Sequence, residues 1–272
     1  MQKVILITGS TDGIGLETAK LLLEKGHHVI IHGRNDVKVQ SVEKELSELG
    51  TGKVESIVAD LSTLSNVNKM VVEVAERFGK LDVLINNAGI FSTPNTRTGE
   101  GLDVRFMVNT IAPYVLTKSL LPLFDRTGRI VNLSSAAQST VDLVALAGEK
   151  ALSDGEAYAQ SKLALTMWSR LVGLDQKNVG AMIVSVNPKS FLGSKMVQEA
   201  YGVKGGSLRL GADILVRAAL SEEFSQAHGA YYDNDIEAFS MPHQDALNDK
   251  KSEQVINKIE EIISELSPRL SN

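Results

Sequence analysis

Six short runs of apolar, mostly β-branched residues alternate with longer stretches of helical spacing, and this pattern restricts the fold of the 272-residue chain more tightly than any other feature. The runs are KVILIT (3–8), HVIIH (28–32), VESIVA (54–59), DVLIN (82–86), RIVNLS (129–134) and AMIVSV (181–186). Apolar residues fill these runs instead of alternating with polar ones, as in strands of a parallel sheet buried on both faces. After the first run, GIGLETAKLLLEKG sets Ile14, Ala19, Leu22 and Leu23 on one helical stripe, and Gly26 closes the helix. Alternation repeated this often predicts a doubly wound, Rossmann-type α/β fold with a parallel sheet. No Pro-, Gly- or Ser-rich linker or internal repeat breaks it, so residues 1–272 read as a single domain.

Composition narrows the function classes. The net charge of −5 is mild and dispersed, which argues against nucleic acid or an anionic membrane as a partner. With no cysteine, thiolate chemistry, disulfides and zinc–cysteine sites are excluded. There is no run of 18 apolar residues, and the apolar part of MQKVILITGS is too short for a signal peptide, so a cytoplasmic soluble protein is expected.

The first strand runs into TGSTDGIG (8–15) and then into a helix. Glycines at such a turn let the backbone approach a pyrophosphate closely, and the free N–H groups of the helix N-terminus bind the anion. Further along, YAQSK (158–162) sets Tyr158 four residues before Lys162, on one helix face. A phenol with a pKa near ~10 is a poor base at neutral pH, and lowering it by roughly three units needs about 4 kcal/mol. An ammonium at about 4 Å supplies about that much at an effective dielectric near 20. Tyr158 is thus a proton-transfer candidate tuned by Lys162.

The G-x-x-x-G-x-G spacing, NNAG at 86–89 and Tyr158-x-x-x-Lys162, in this order, resemble the short-chain dehydrogenase/reductase family over nearly the whole chain. The insertion before Tyr158 and the texture after the sixth strand look most like its retinol-dehydrogenase-like branch. The resemblance implies hydride transfer between NADP(H) or NAD(H) and a small-molecule carbonyl or alcohol. It places catalysis on Asn109, Ser135, Tyr158 and Lys162, with Ser134 pointing away from the substrate and Asn109 holding a relay water. It places cofactor contacts on Gly9, Ser10, Asp12, Gly13, Ile14, Gly15, Arg34, Asp60, Leu61, Asn87, Ala88, Gly89 and Pro188, beside Tyr158 and Lys162. It also implies a homo-oligomer, dimer or tetramer, built through the helices bearing Asn109 and Tyr158. A non-catalytic cofactor sensor on the same fold is the rival reading, against which the intact Tyr158, Lys162 and Ser135 argue.

Cofactor choice rests on IIHGRND (30–36). Binders of the form without a 2′-phosphate hold the ribose with an acid at the end of the second strand. Here Gly33 occupies that place and Arg34, suited to a bidentate grip on phosphate, follows, which favours NADP(H). Asp36 is the competing ribose ligand, although it reads as the start of the next helix.

Some features stand outside this frame. Residues 136–155 are long for a connection, and residues 189–206, with four glycines, read as a substrate flap. Lys189 stands where the resembling family usually has glycine; it either reaches toward the nicotinamide or swings into solvent. His28 and His32, on one strand face, read as packing or surface residues and not as metal ligands. YDND (232–235) offers three oxygen ligands without the spacing of a calcium loop, so no metal is assigned. The amphipathic tail, with Val255, Ile259 and Ile262 or Ile263 on its stripe, packs on the domain or a subunit interface.

Overall fold

The computed structural model describes residues 1–49 and 51–267. In chain order it contains β1 (Val4–Ile7), α1 (Gly13–Glu24), β2 (His28–Gly33), α2 (Asp36–Ser47), β3 (Lys53–Val58), α3 (Leu64–Phe78) and β4 (Val83–Asn86). There follow α4 (Val104–Phe106), a π-helical stretch (Met107–Ile111), α5 (Ala112–Leu120), β5 (Arg129–Leu133), α6 (Leu143–Leu146), α7 (Asp154–Gln176) and β6 (Met182–Asn187). The chain ends with α8 (Lys195–Tyr201), α9 (Leu208–Leu220), β7 (Tyr231–Asp233), β8 (Ala238–Ser240) and α10 (Asp249–Leu266).

All six expected strands form, and with β7 and β8 they make an eight-stranded sheet in the order β3-β2-β1-β4-β5-β6-β7-β8. Every pair is parallel except the terminal β7–β8 hairpin. The order reverses between β1 and β4, and the crevice beyond the carboxyl ends of the strands at such a switch point is where α/β sheets bind ligands. Alternate strand side chains serve two cores. Leu6, Ile30, Leu84, Ile130 and Ile183 pack toward α3, α5 and α7, while Ile5, Ile31, Ile85, Val131 and Val184 pack toward α1, α2 and α9. This two-sided burial explains the unbroken apolar runs of β1, β2, β4, β5 and β6; β3, at the sheet edge, is only partly buried.

The tail settles on the domain itself. Val255, Ile259, Ile262 and Leu266 of α10 are buried in the core that holds Tyr114 of α5 and Trp168 of α7, whereas Ile263 is only partly covered. Tyr114 donates to Glu260 at 2.7 Å, and Arg170 pairs with Asp249 at 2.5 Å. The face through which the resemblance implies assembly is thus covered by the chain's own helix, and assembly there requires α10 to leave.

The long connection is pinned. Asp142 caps α6, its N–H donates to Gln160 Oε1 at 2.9 Å, and Thr140 donates to Asp245 at 2.7 Å. The flap expected at 189–206 is a closed loop containing α8. Leu192 and Gly206 form a bridge at its neck, where Gly193 N–H donates to Gly206 O at 2.7 Å. Lys189 has φ of 124° and Phe191 of 51°. Such backbone values in non-glycine residues cost on the order of 1–3 kcal/mol and persist only where the surroundings impose them.

Candidate active site

A cavity of about 390 Å³ opens over the carboxyl ends of β1 and β4, within the range of small-molecule and cofactor sites. Its floor is the turn from β1 to α1. Gly9 has φ of 64°, and a Cβ there would stand 2.8 Å from Ala88 Cα, so only glycine lets this turn lie against the β4 end. Asp12 caps α1 by accepting from Gly13 N–H at 2.8 Å. Its other oxygen accepts from Lys38 at 2.8 Å and from Lys195 of the flap at 3.0 Å. The Lys38 bond foremost, against the opposing effect of burial, holds the Asp12 carboxyl down to about 2.

Two braces fix the turn. Thr8 Oγ1 accepts from Asn87 N–H and Ala88 N–H, both at 3.0 Å, and the Asn87 amide donates to Thr8 O and Gly9 O at 2.8 and 2.9 Å. The second brace is His32, expected as a packing or surface residue. Gly9 N–H donates to its Nδ1 at 3.1 Å, so Nε2 carries the proton and donates to Ala59 O at 3.0 Å. Complete burial lowers its pKa to about 4, so the ring is neutral near pH 7 and ties β1, β2 and β3 together beneath the cavity. A histidine one residue before the end of β2, level with the glycine turn, was the available signal.

Along the cavity wall lie Gly9, Asp12, Gly13, Ile14, Arg34, Asp60, Leu61, Asn87, Ala88, Gly89, Tyr158, Lys162 and Pro188, all expected from sequence. Ser10 and Gly15 lie behind it. Ser10 donates to Ile7 O at 2.8 Å and accepts from His32 N–H at 2.9 Å, while Gly15 is buried beneath Asn87. Asp36 opens α2, as its sequence context implied, with Asn35 as the cap. Not expected from sequence, Thr11 and Ile90 reach the wall from loops, Val108 from the π-helical stretch, and Ser194, Lys195 and Met196 from the cap and first turn of α8.

At the inner end, Lys162 is 4% exposed and donates to Leu133 O at 2.8 Å, with its ammonium 5.6 Å from the Tyr158 ring centre. Desolvation pulls its pKa down to about 8. The Asn109 amide donates to Ile90 O at 2.9 Å and Ser161 Oγ at 3.0 Å, and its Oδ1 accepts from Ile90 N–H at 2.8 Å. Ser161 in turn donates to Tyr158 O at 2.7 Å. Asn109 lies in the π-helical stretch, a rare conformation frequent at functional sites. Its side chain thus locks the Ile90 loop to the Tyr158 helix, with both amide donors spent on protein partners.

The serines divide otherwise than expected. Ser134, expected to point away, reaches the cavity wall, although its hydroxyl bonds Thr166 Oγ1 at 2.6 Å. Ser135 lies off the wall and accepts from Ala137 N–H at 3.1 Å. Lys189 neither enters the cavity nor extends into solvent: its ammonium turns to Asn234 O at 3.4 Å. The oxygens of YDND are spent on the chain: Asp233 accepts from Asn187, and Asp235 from Asn187 and Ser190. His28 faces Glu55 at 2.7 Å. No group of three or more potential metal ligands occurs among the described residues.

The family model described as short chain dehydrogenase matches residues 3–202. This chain belongs to the short-chain dehydrogenase/reductase family. Human polyprenol dehydrogenase is 32% identical over 277 residues, covering 94% of this chain and 83% of its own. Bovine retinol dehydrogenase 12 is 29% identical over 269 residues, covering 94% and 84%. These relatives set the chain in the retinol-dehydrogenase-like branch, as an NAD(P)-dependent oxidoreductase acting on CH–OH or C=O groups. Among solved structures, a metagenomic short-chain oxidoreductase in complex with NADP aligns with a TM-score of 0.61 at 27% identity, covering 80% of this chain and 90% of that one.

Proposed function

We propose that this enzyme uses NADP(H) to interconvert an apolar, isoprenoid-type alcohol and its carbonyl form. The observation that carries the cofactor choice is the crowding at Gly33. A side chain there would begin 2.8 Å from Thr11 Cγ2 and 2.9 Å from Val39 Cγ2, leaving no room for a ribose-binding acid, and Arg34 follows on the cavity wall. The cavity also fits a dinucleotide in its polar parts: the α1 N-terminus for the diphosphate, Arg34 for the 2′-phosphate, and Asp60 and Leu61 for the adenine. Asn87 to Gly89 and Lys162 would serve the riboses, with Pro188 beside the nicotinamide. A bound nicotinamide would donate or accept the hydride.

In the reductive direction Tyr158 gives its hydroxyl proton to the substrate oxygen, and the Lys162 ammonium stabilises the phenolate left behind. Ser135 would orient the substrate oxygen after rotating from Ala137 N–H. An apolar substrate is supported by the inner wall of Ile90, Val108 and Met196 and by the Phe91 ring 5.1 Å from the Tyr158 ring. The names of the polyprenol and retinol dehydrogenase relatives support an isoprenoid one.

The test is reduction of retinal, a polyprenyl aldehyde and short polar aldehydes with NADPH and NADH, using wild type and Arg34→Ala. Wild type should prefer NADPH and the isoprenoid aldehydes. Arg34→Ala should weaken NADPH alone, by about 1.5–3 kcal/mol for a lost charged hydrogen bond. Preference for NADH, or equal weakening of both cofactors, overturns the cofactor assignment; preference for short polar aldehydes overturns the substrate class.

A further inference from the structure

The YDND segment and Lys189, left without a role above, belong to one device. The turn between β7 and β8 bonds every residue from 187 to 190. Asn187 Nδ2 donates to Asp233 Oδ1 at 2.8 Å and to Asp235 Oδ2 at 2.9 Å, and Asn187 O accepts from Asn234 N–H at 3.1 Å. The Asn234 amide donates to Pro188 O at 2.9 Å, and Asn234 O accepts from the Lys189 ammonium at 3.4 Å. Asp235 takes both donors of Ser190, the N–H at 2.9 Å and the hydroxyl at 2.6 Å.

The two bonds to Ser190 matter because Ser190 lies between Lys189 and Phe191, both with positive φ. A lysine released from that clamp relaxes to negative φ, which redirects the chain leading to Gly193. Just beyond that point Ser194, Lys195 and Met196 reach the cavity wall, with Lys195 on Asp12. The path of the flap over the cavity is therefore set at Lys189, and the force holding Lys189 comes from a turn more than 40 residues later.

We propose that Asp235 is a positioning residue for dinucleotide binding: it clamps Ser190, imposes a glycine-type backbone on Lys189 and so keeps the flap closed over the cofactor cavity. The proposal explains how this chain carries lysine at a position where glycine would need no clamp. It rests on the cofactor reading only in its binding consequence; the clamp itself is tested without cofactor.

Two readouts on the full chain separate these. Without cofactor, trypsin should cut Asp235→Ala after Lys189 and Lys195 at least about tenfold faster than wild type, with Tm recorded to show that the variant is folded. With cofactor, fluorescence titration should show the NADPH Kd raised about tenfold in Asp235→Ala. Glycine adopts the required φ freely, so Lys189→Gly added to Asp235→Ala should restore most of the NADPH affinity and of the resistance to cleavage after Lys195, the site that the double variant keeps. A purely structural loss would not be rescued this way. If Asp235→Ala does not fold, Ser190→Ala removes one of the two bonds and should give a smaller shift of the same sign, again suppressed by Lys189→Gly. Unchanged cleavage in a folded Asp235→Ala, or an identical loss with and without Lys189→Gly, overturns the clamp. Wild type that binds no dinucleotide overturns the cofactor reading instead, and the cleavage rates still decide the clamp.

Discussion

Lys162 shows most directly how this site trades stability for chemistry. It is fully desolvated, and its one described hydrogen bond to a protein acceptor goes to a neutral carbonyl, Leu133 O. Its pKa falls from 10.5 to about 8 through desolvation. Below about pH 8 the lysine is charged in both the folded and unfolded chain, so the cost of burying the charge is present in full. Between about 8 and 10.5 the unfolded chain binds more protons, so stability rises with pH as that cost fades. Lys162→Met should therefore abolish turnover yet stabilise the protein at pH 7, by on the order of 2 kcal/mol after allowing for the lost hydrogen bond. The gain should shrink toward zero by pH 10.5. Paired thermal melts across this range check the prediction, and a stabilisation that grows with pH would refute it.

At the scale of elements, what brings Tyr158 to the cavity is the seating of α7. Its first turn carries a complete Ser153/Glu156 capping box, and Asp154 in that turn binds Arg105 of α4 and Ser92 of the loop after β4. The Arg105 guanidinium is 1% exposed and holds Asp103 through two bonds, at 2.8 and 2.6 Å. Arg105→Met leaves the mostly buried Asp103 unpaired and should cost on the order of 3–5 kcal/mol. Asp154→Asn acts on a carboxylate side chain 43% exposed and should cost under about 1 kcal/mol. Comparable losses in denaturant titrations of the two variants would remove Arg105 as the anchor. The same scale shows what could be read from sequence. The five inner strands β1, β2, β4, β5 and β6 were legible because burial on both faces writes an unbroken apolar run, and the edge strand β3, with Ile57 its one buried residue, was legible from its β-branched residues. β7 and β8 were not: they are three residues each, and β8 is an edge strand. Asp12, Arg34, Tyr158 and Lys162 could be placed because they sit at fixed offsets from strand ends and on one helix face. The orientations of Ser135 and Lys189 could not, since partners such as Tyr231, Asn234 and Asp235 lie far along the chain.

For the whole molecule, the decisive packing is that of α10. Members of a family that assemble through the helices equivalent to α5 and α7 would use a face that here already holds four buried aliphatic side chains of the same chain. Each such side chain contributes about 1.5–3 kcal/mol when fully buried, an upper bound because the unfolded chain is partly compact. The Tyr114–Glu260 and Arg170–Asp249 contacts fix the helix in register. A second copy must displace all of this before it gains any area. The intact chain should therefore not dimerise through this face at micromolar concentration. A chain ended after Asn248 uncovers Tyr114 and Trp168 and should self-associate. Ile259→Asp, which sets a carboxylate at a fully buried position, should do so more weakly by loosening α10. Light scattering coupled to size exclusion measures the mass, and hydrogen exchange locates the protected helices. An intact dimer with α5 and α7 protected at its interface, or a truncated chain that stays monomeric, would show that α10 does not decide assembly.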